Sequence, residues 1–121
     1  MAPPAHEQFP KTARLRKRRE FLSLSRIGKK VHSAHFVVIS KKIAGDQRRL
    51  GVTVSSKVGN AVARNRIKRL VRENFRRHQH EILAGTDILV IARSSAKGLA
   101  FVEVGAELKR GLAHCWSDRK S

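Results

Sequence analysis

The sequence predicts a single α+β domain, an α-β sandwich with elements in the order α, β, β, α, β, α. Three observations carry this. Residues 50–56 (LGVTVSS) alternate apolar and small or polar side chains with the period of a strand. Residues 87–92 (DILVIA) form an apolar run of strand length. Between them, residues 57–77 repeat with the 3.6-residue period of a helix. A strand, a long helix and a strand in succession imply a sheet carrying helices on its surface. At 121 residues the chain supports one modest core and not two.

Each element follows in order. All three prolines fall within residues 1–10, which predicts a flexible arm, and residues 118–121 form a tail. Lys11 to Arg19 places six basic residues in nine positions, among them Arg14, Arg16, Lys17, Arg18 and Arg19. Such a run repels itself unless a polyanion orders it. Leu15, Phe21, Leu22, Leu24 and Ile27 predict a first helix over about 17–27, with Gly28 placed to end it. Residues 31–43 are rich in β-branched side chains and predict a strand, and the pattern allows a further short strand near residue 30. The turn Ala44-Gly45-Asp46-Gln47 then predicts a hairpin-like pairing of residues 31–43 with 50–56, with Leu50, Val52 and Val54 on the core side and Lys41, Lys42, Arg48 and Arg49 as solvated tips.

The segment Lys57 to Arg77 (KVGNAVARNRIKRLVRENFRR) reads as one helix and is the functional centre. It carries eight Lys/Arg against one acid, Glu73, a net +7 of the chain's +18. Gly59 and Asn60 read as a turn and an N-cap, because an Asn side chain accepts from first-turn N–H groups. Ile67, Leu70, Val71 and Phe75, with Ala63 and Ile82, share an apolar side, while Asn65, Arg66, Lys68, Arg69, Arg72 and Arg76 occupy the remainder. Gly85-Thr86 breaks the pattern. The run 87–92 fits a central strand covered on both faces. Phe101, Val104, Leu108, Leu112 and Trp116 predict a last helix of about four turns.

The balance of 27 Lys/Arg to 9 Asp/Glu gives a sequence pI near 11.7 and points to nucleic acid ahead of anionic membrane or acidic protein. No stretch approaches the roughly 18–20 apolar residues of a membrane span. The first residues lack the apolar run of a secretory signal, so cytoplasm is expected. The lone Cys115 excludes an internal disulfide and reads as a core-edge residue. The acids are scattered, with no pair at the spacing of a two-metal nuclease. His32-x-x-His35, His78-x-His80 and His114-Cys115 lack a second ligand pair at zinc spacing, so no metal is assigned to the protein. The Gly59-Asn60 turn lacks the spacing and Gly-Lys-Ser/Thr ending of a nucleotide loop. A DNA-reading helix-turn-helix would need a helix before residue 57, where strand is predicted. The aromatic residues do not follow the pattern of a strand-borne RNA-binding platform.

Val58-Gly59-Asn60-Ala61-Val62-Ala63-Arg64-Asn65-Arg66-Ile67-Lys68-Arg69, continuing through Arg72-Glu73 and Phe75-Arg76, resembles the signature of the bacterial ribonuclease P protein subunit. RLRKRREF near the start, RLGVTVS before the signature and DILVIAR after it agree, and the resemblance covers about residues 11–117. It implies a mixed sheet with a left-handed crossover through the basic helix. It also implies a protein cofactor, one per RNA, of a ribozyme that removes the 5′ leader of precursor tRNA using Mg²⁺ bound mainly by the RNA subunit. Lys57, Arg66, Arg69, Arg76 and Arg77 would then face the RNA subunit, and Arg64, Asn65, Lys68 and Arg72 would lie nearer the leader. Phe21, Val37 and Ile39 would map to the wall of a leader cleft between the first helix and the sheet. Aromatic residues common in the family at the positions of Ser25 and Ile39 are absent. The composition alone equally fits a structural, ribosome-associated RNA-binding protein, or a DNA-binding regulator.

Overall fold

A computed structural model describes residues 18–43, 45–82 and 84–113, with the side chains of Arg18 and Phe21 outside the description. The predicted arm at 1–10, the tail at 118–121, most of the basic run including Arg14, Arg16 and Lys17, and Trp116 therefore lie outside the described residues. The elements are α1 (Arg18–Ile27), β1 (Lys29–His32), β2 (Phe36–Lys42), β3 (Arg48–Val54), α2 (Ala61–His78), β4 (Thr86–Ala92) and α3 (Phe101–Gly111). Three short 3₁₀ turns intervene: Ser56–Val58, Gln79–Glu81 and Ser94–Ala96. Among the described residues no helix is long and apolar enough to cross a membrane.

The strands form one mixed sheet in the order β1-β2-β4-β3. Two expectations are corrected here. The β-branched stretch 31–43 is not one strand: Ser33, Ala34 and His35 turn the chain, so the short strand near residue 30 is β1, antiparallel to β2. Nor do β2 and β3 form a hairpin. β4 lies between them, antiparallel to β2 and parallel to β3. The reason is burial: six of the seven β4 residues are buried, so the strand that is apolar on both faces takes a central place. Ile43 and Gln47 both bond to the start of β4. Gln47 C=O accepts from Gly85 N–H at 2.9 Å and Thr86 N–H at 3.1 Å, and Ile43 N–H donates to Gly85 C=O at 2.8 Å.

The hydrogen bonds fix the hand of the β3–α2–β4 connection. Ala92 faces the α2 layer, and its carbonyl accepts from Ser55 N–H at 3.3 Å, so that carbonyl points toward the β3 side. For an L-residue on a strand drawn upward with its side chain toward the viewer, the carbonyl points right. Seen from α2, β3 therefore lies to the right of β4, and the chain crosses from right to left in front of the sheet. The crossover is left-handed, against the usual preference.

The helices α2 and α3 cover one face of the sheet and α1 covers part of the other. The larger core joins Ile67, Val71 and Phe75 of α2 and Val104 and Leu108 of α3 to Phe36, Val38, Leu50, Val52, Ile88 and Val90 of the sheet. The smaller core is Leu24 of α1 upon Ile39 and Leu89, with Val37 and Ile91 at its margin. α1 stops where expected, Gly28 N–H donating to Leu24 C=O at 2.9 Å. α3 ends at Gly111, about three turns and not four. It approaches α2 closely because Gly105 has no side chain: a Cβ there would lie 2.5 Å from Asn74 Oδ1.

Candidate nucleic-acid interface

The predicted cap of α2 is present, with Asn60 Oδ1 accepting from Ala63 N–H at 3.0 Å. The helix begins at Ala61, directly after that cap. Lys57, at the start of the basic segment, sits in the preceding 3₁₀ turn, where its N–H donates to Ser55 Oγ at 3.1 Å. Ile67, Val71 and Phe75 are buried and Leu70 half-buried, which fixes the outward face. Asn65, Arg66, Arg69 and Arg77 are exposed, while Arg64, Lys68, Arg72 and Arg76 are half-buried.

Charge divides along this face. Glu73 accepts from Arg76 and, at 2.9 Å, from Arg77 Nε, and these hydrogen bonds lower its carboxyl pKa to about 2. Arg77 also lies over the Phe101 ring at 5.2 Å, a cation–π contact between α2 and α3. At the other end no described carboxylate pairs with Arg64, Arg66, Lys68 or Arg69. Arg64 Nε is buried without a described hydrogen-bond partner. Among the described residues, the first three turns of α2 thus hold cations with no acid beside them, and the last turn holds cations engaged by an acid and a ring.

The second feature is the α1 face of the sheet. Leu24 covers Ile39 and Leu89, both 1 % exposed, and leaves Val37 and Ile91 half-buried. Of the predicted wall residues, Val37 therefore reaches the surface and Ile39 lies beneath α1, while the Phe21 side chain is outside the described residues. Arg49 fixes α1 over the sheet at one end. Its guanidinium grips both oxygens of Asp87 at 2.8 and 2.7 Å and reaches Glu20 at 3.0 Å. The Asp87 hydrogen bonds raise its pKa further above the usual arginine range. Arg48 Nε donates to Ile82 C=O at 2.6 Å. Both arginines are thus structural and not the solvated tips predicted.

At the opposite end of the Val37–Ile91 row, His32 Nδ1 lies 3.3 Å from the Arg93 guanidinium, and both residues are exposed. Neither stood out in the sequence as a cleft residue. The signal was present in the basic residue directly after the apolar run 87–92, but only the strand register brings it beside β1. The β1–β2 turn is held by Glu107, whose carboxylate accepts from Ser33 Oγ at 2.7 Å, from His35 N–H at 2.9 Å and from the His35 ring. Burial pushes this carboxyl up, and the hydrogen bonds outweigh it, leaving its pKa below the usual range. Among the described residues no three His, Cys, Asp or Glu side chains converge to hold an ion, and His114 and Cys115 lie outside the described residues.

The family model for ribonuclease P matches residues 9–116. The chain belongs to the ribonuclease P protein family. A ribonuclease P protein component of Desulfatibacillum aliphaticivorans is 52 % identical over 87 residues, covering 72 % of this chain and 74 % of the relative. One from Staphylococcus haemolyticus is 44 % identical over 102 residues, 84 % of this chain and 89 % of its own. Among solved structures, the Staphylococcus aureus RNase P protein superposes with a TM-score of 0.80 at 40 % identity, covering 88 % of this chain and all of that one. The Thermotoga maritima RNase P protein gives 0.75 at 41 %, covering 84 % and 96 %. The family match takes in every described element.

Proposed function

We propose that this chain is the protein cofactor of a ribonuclease P ribonucleoprotein, binding the catalytic RNA subunit and the 5′ leader of precursor tRNA and aiding endonucleolytic removal of that leader. The observation that carries this is the run of uncompensated cations along the first turns of α2 in a member of this family. Arg66 and Arg69, fully outward, suit the RNA subunit together with Lys57, Arg76 and Arg77. Arg64, Asn65, Lys68 and Arg72 suit the leader, with Phe21, Val37 and the surroundings of Ile39 as the apolar side of its path. The partners are one RNA subunit and precursor tRNA, in the cytoplasm.

The chemistry is assigned to Mg²⁺ held mainly by the RNA. Among the described residues, no three His, Cys, Asp or Glu side chains converge on one point. What the chain supplies is charge. Bringing a single-stranded leader against a folded RNA crowds phosphates, and lysine and arginine offset their repulsion and release counterions. The protein thereby acts on substrate affinity and on the Mg²⁺ concentration needed for cleavage.

Binding assays with the RNA subunit and with leader-bearing and leaderless tRNA test the assignment. Arg66→Ala or Arg69→Ala should weaken assembly with the RNA subunit, and Phe21→Ala should mainly weaken affinity for leader-bearing substrate. If Phe21→Ala unfolds the domain by circular dichroism, Phe21 belongs to the core. A footprint on ribosomal RNA in place of ribozyme RNA would turn the reading to a structural RNA-binding protein.

A further inference from the structure

A buried carboxylate on one face of the sheet is joined through a turn to a cation on the other. Glu107 of α3 is 7 % exposed, and its described hydrogen bonds all go to the β1–β2 turn. Ser33 Oγ donates at 2.7 Å and His35 N–H at 2.9 Å, and the His35 ring completes the set. An ionised carboxylate only accepts, so the His35 ring carries its proton on Nδ1. The same turn is tied to the chain leaving β4. Arg93 N–H donates to His35 C=O at 2.9 Å, and Ser95 Oγ reaches Ala34 C=O at 3.4 Å. The turn is thus clamped between α3 and the segment after β4.

On the opposite face, the register sets His32 beside Val37 and Val37 beside Ile91, so these three side chains share the α1 side of the sheet. Arg93, two residues beyond Ile91, meets His32 there. A guanidinium only donates, so His32 Nδ1 is the acceptor, and the other guanidinium N–H groups have no described acceptor. No described carboxylate pairs with Arg93. The half-buried Val37–Ile91 row therefore ends in an exposed cation with no acid beside it among the described residues.

We infer that Glu107 is a positioning residue for leader binding: it holds the β1–β2 turn, and the turn holds Arg93 where a leader phosphate meets it while the adjoining base covers Val37 and Ile91. The inference rests on the cofactor reading above. Glu107, buried on the α3 side, does not reach the leader itself.

The test uses full-length variants assembled with a bacterial ribonuclease P RNA and titrated with leader-bearing and leaderless tRNA. One phosphate contact to a single strand adds about 0.7 to the salt slope and is worth a factor of about four at 0.15 M salt. Arg93→Ala should lose about fourfold in affinity for leader-bearing tRNA and nothing for the leaderless form. Glu107→Ala should lose the same preference, up to about fourfold, with affinity for the RNA subunit unchanged. The double variant should lose no more than Arg93→Ala alone, because Glu107 acts through Arg93. Hydrogen exchange at the Arg93 amide should be faster in Glu107→Ala than in wild type. If Glu107→Ala does not fold, Ser33→Ala, which removes one bond of the clamp, carries the same comparison. Losses that multiply in the double variant, or full leader preference in Glu107→Ala, would overturn the positioning role. So would equal weakening toward both tRNAs and the RNA subunit, which marks a residue that only stabilises the fold. If the wild-type protein shows no preference for leader-bearing tRNA, the cofactor reading itself falls, and the positioning role with it.

Discussion

Replacing Arg66 and Arg69 together by alanine isolates the charge of α2 from its fold. Both side chains are exposed and neither pairs with a described carboxylate, so their removal should leave Tm almost unchanged, within about 0.5 kcal/mol of stability per site. Each phosphate left without its arginine takes about 0.9 off the slope of log K against log salt for helical nucleic acid. At 0.15 M monovalent salt, one such release is worth a factor of about five, and two a factor of about thirty. The double variant should therefore bind the RNA subunit about thirtyfold more weakly, with a salt slope shallower by about 1.8. Fluorescence titrations at four or five salt concentrations read both quantities. A thirtyfold weakening with an unchanged slope would refute the counterion argument, and an unchanged affinity would remove these arginines from the interface.

Three further predictions concern the supports of this surface. Glu73→Gln removes the one acid from the basic face and should tighten RNA binding up to about fivefold, while costing a few tenths of a kcal/mol for the two intrahelical pairs it breaks, read by salt titration and thermal melts. Gly105→Ala gains about 1 kcal/mol of helix propensity but forces a Cβ to within 2.5 Å of the buried Asn74 amide, and such overpacking costs about 1–3 kcal/mol. A net fall in Tm of several degrees is expected by calorimetry, and a rise would mean that α3 moves away freely. Glu107 has a folded-state pKa below its unfolded value, so its contribution to stability is complete above the unfolded carboxylate range and disappears as pH falls through the folded pKa. Urea melts from pH 7 to pH 3 should show wild type losing its advantage over Glu107→Gln across that window, and a constant difference would count against the linkage.

The parts of the fold that could be read from the sequence were those set by local chemistry. Asn60 caps α2 because an Asn side chain reaches the third N–H of a helix, whatever surrounds it. The apolar run at β4 identified a central strand because burial on both faces demands it. Strand order depended on non-local pairing, and a turn-like Ala44–Gln47 segment gave no sign that β4 would separate β2 from β3. The roles of Arg49 and Asn74 were hidden for a related reason. Arg49 looks like any flanking cation until Asp87 is placed beside it, and Asn74 looks like a polar residue on a basic helix until α3 is packed upon it. In the interface, the cationic face was visible residue by residue, but its division into free cations near Arg66 and engaged cations near Glu73 required side-chain geometry. Ile39 took its place beneath α1, and not on an open wall, because Leu24 falls directly on it.

The most direct test of the cofactor role is cleavage of a leader-bearing precursor tRNA at low Mg²⁺ by a bacterial ribonuclease P RNA, with and without the purified chain, and with the chain alone. Cleavage at the 5′ end is expected at low Mg²⁺ only when RNA and protein are both present. Equal cleavage by the RNA with and without folded protein would contradict the cofactor role, and cleavage by the protein alone would place an active site in this chain.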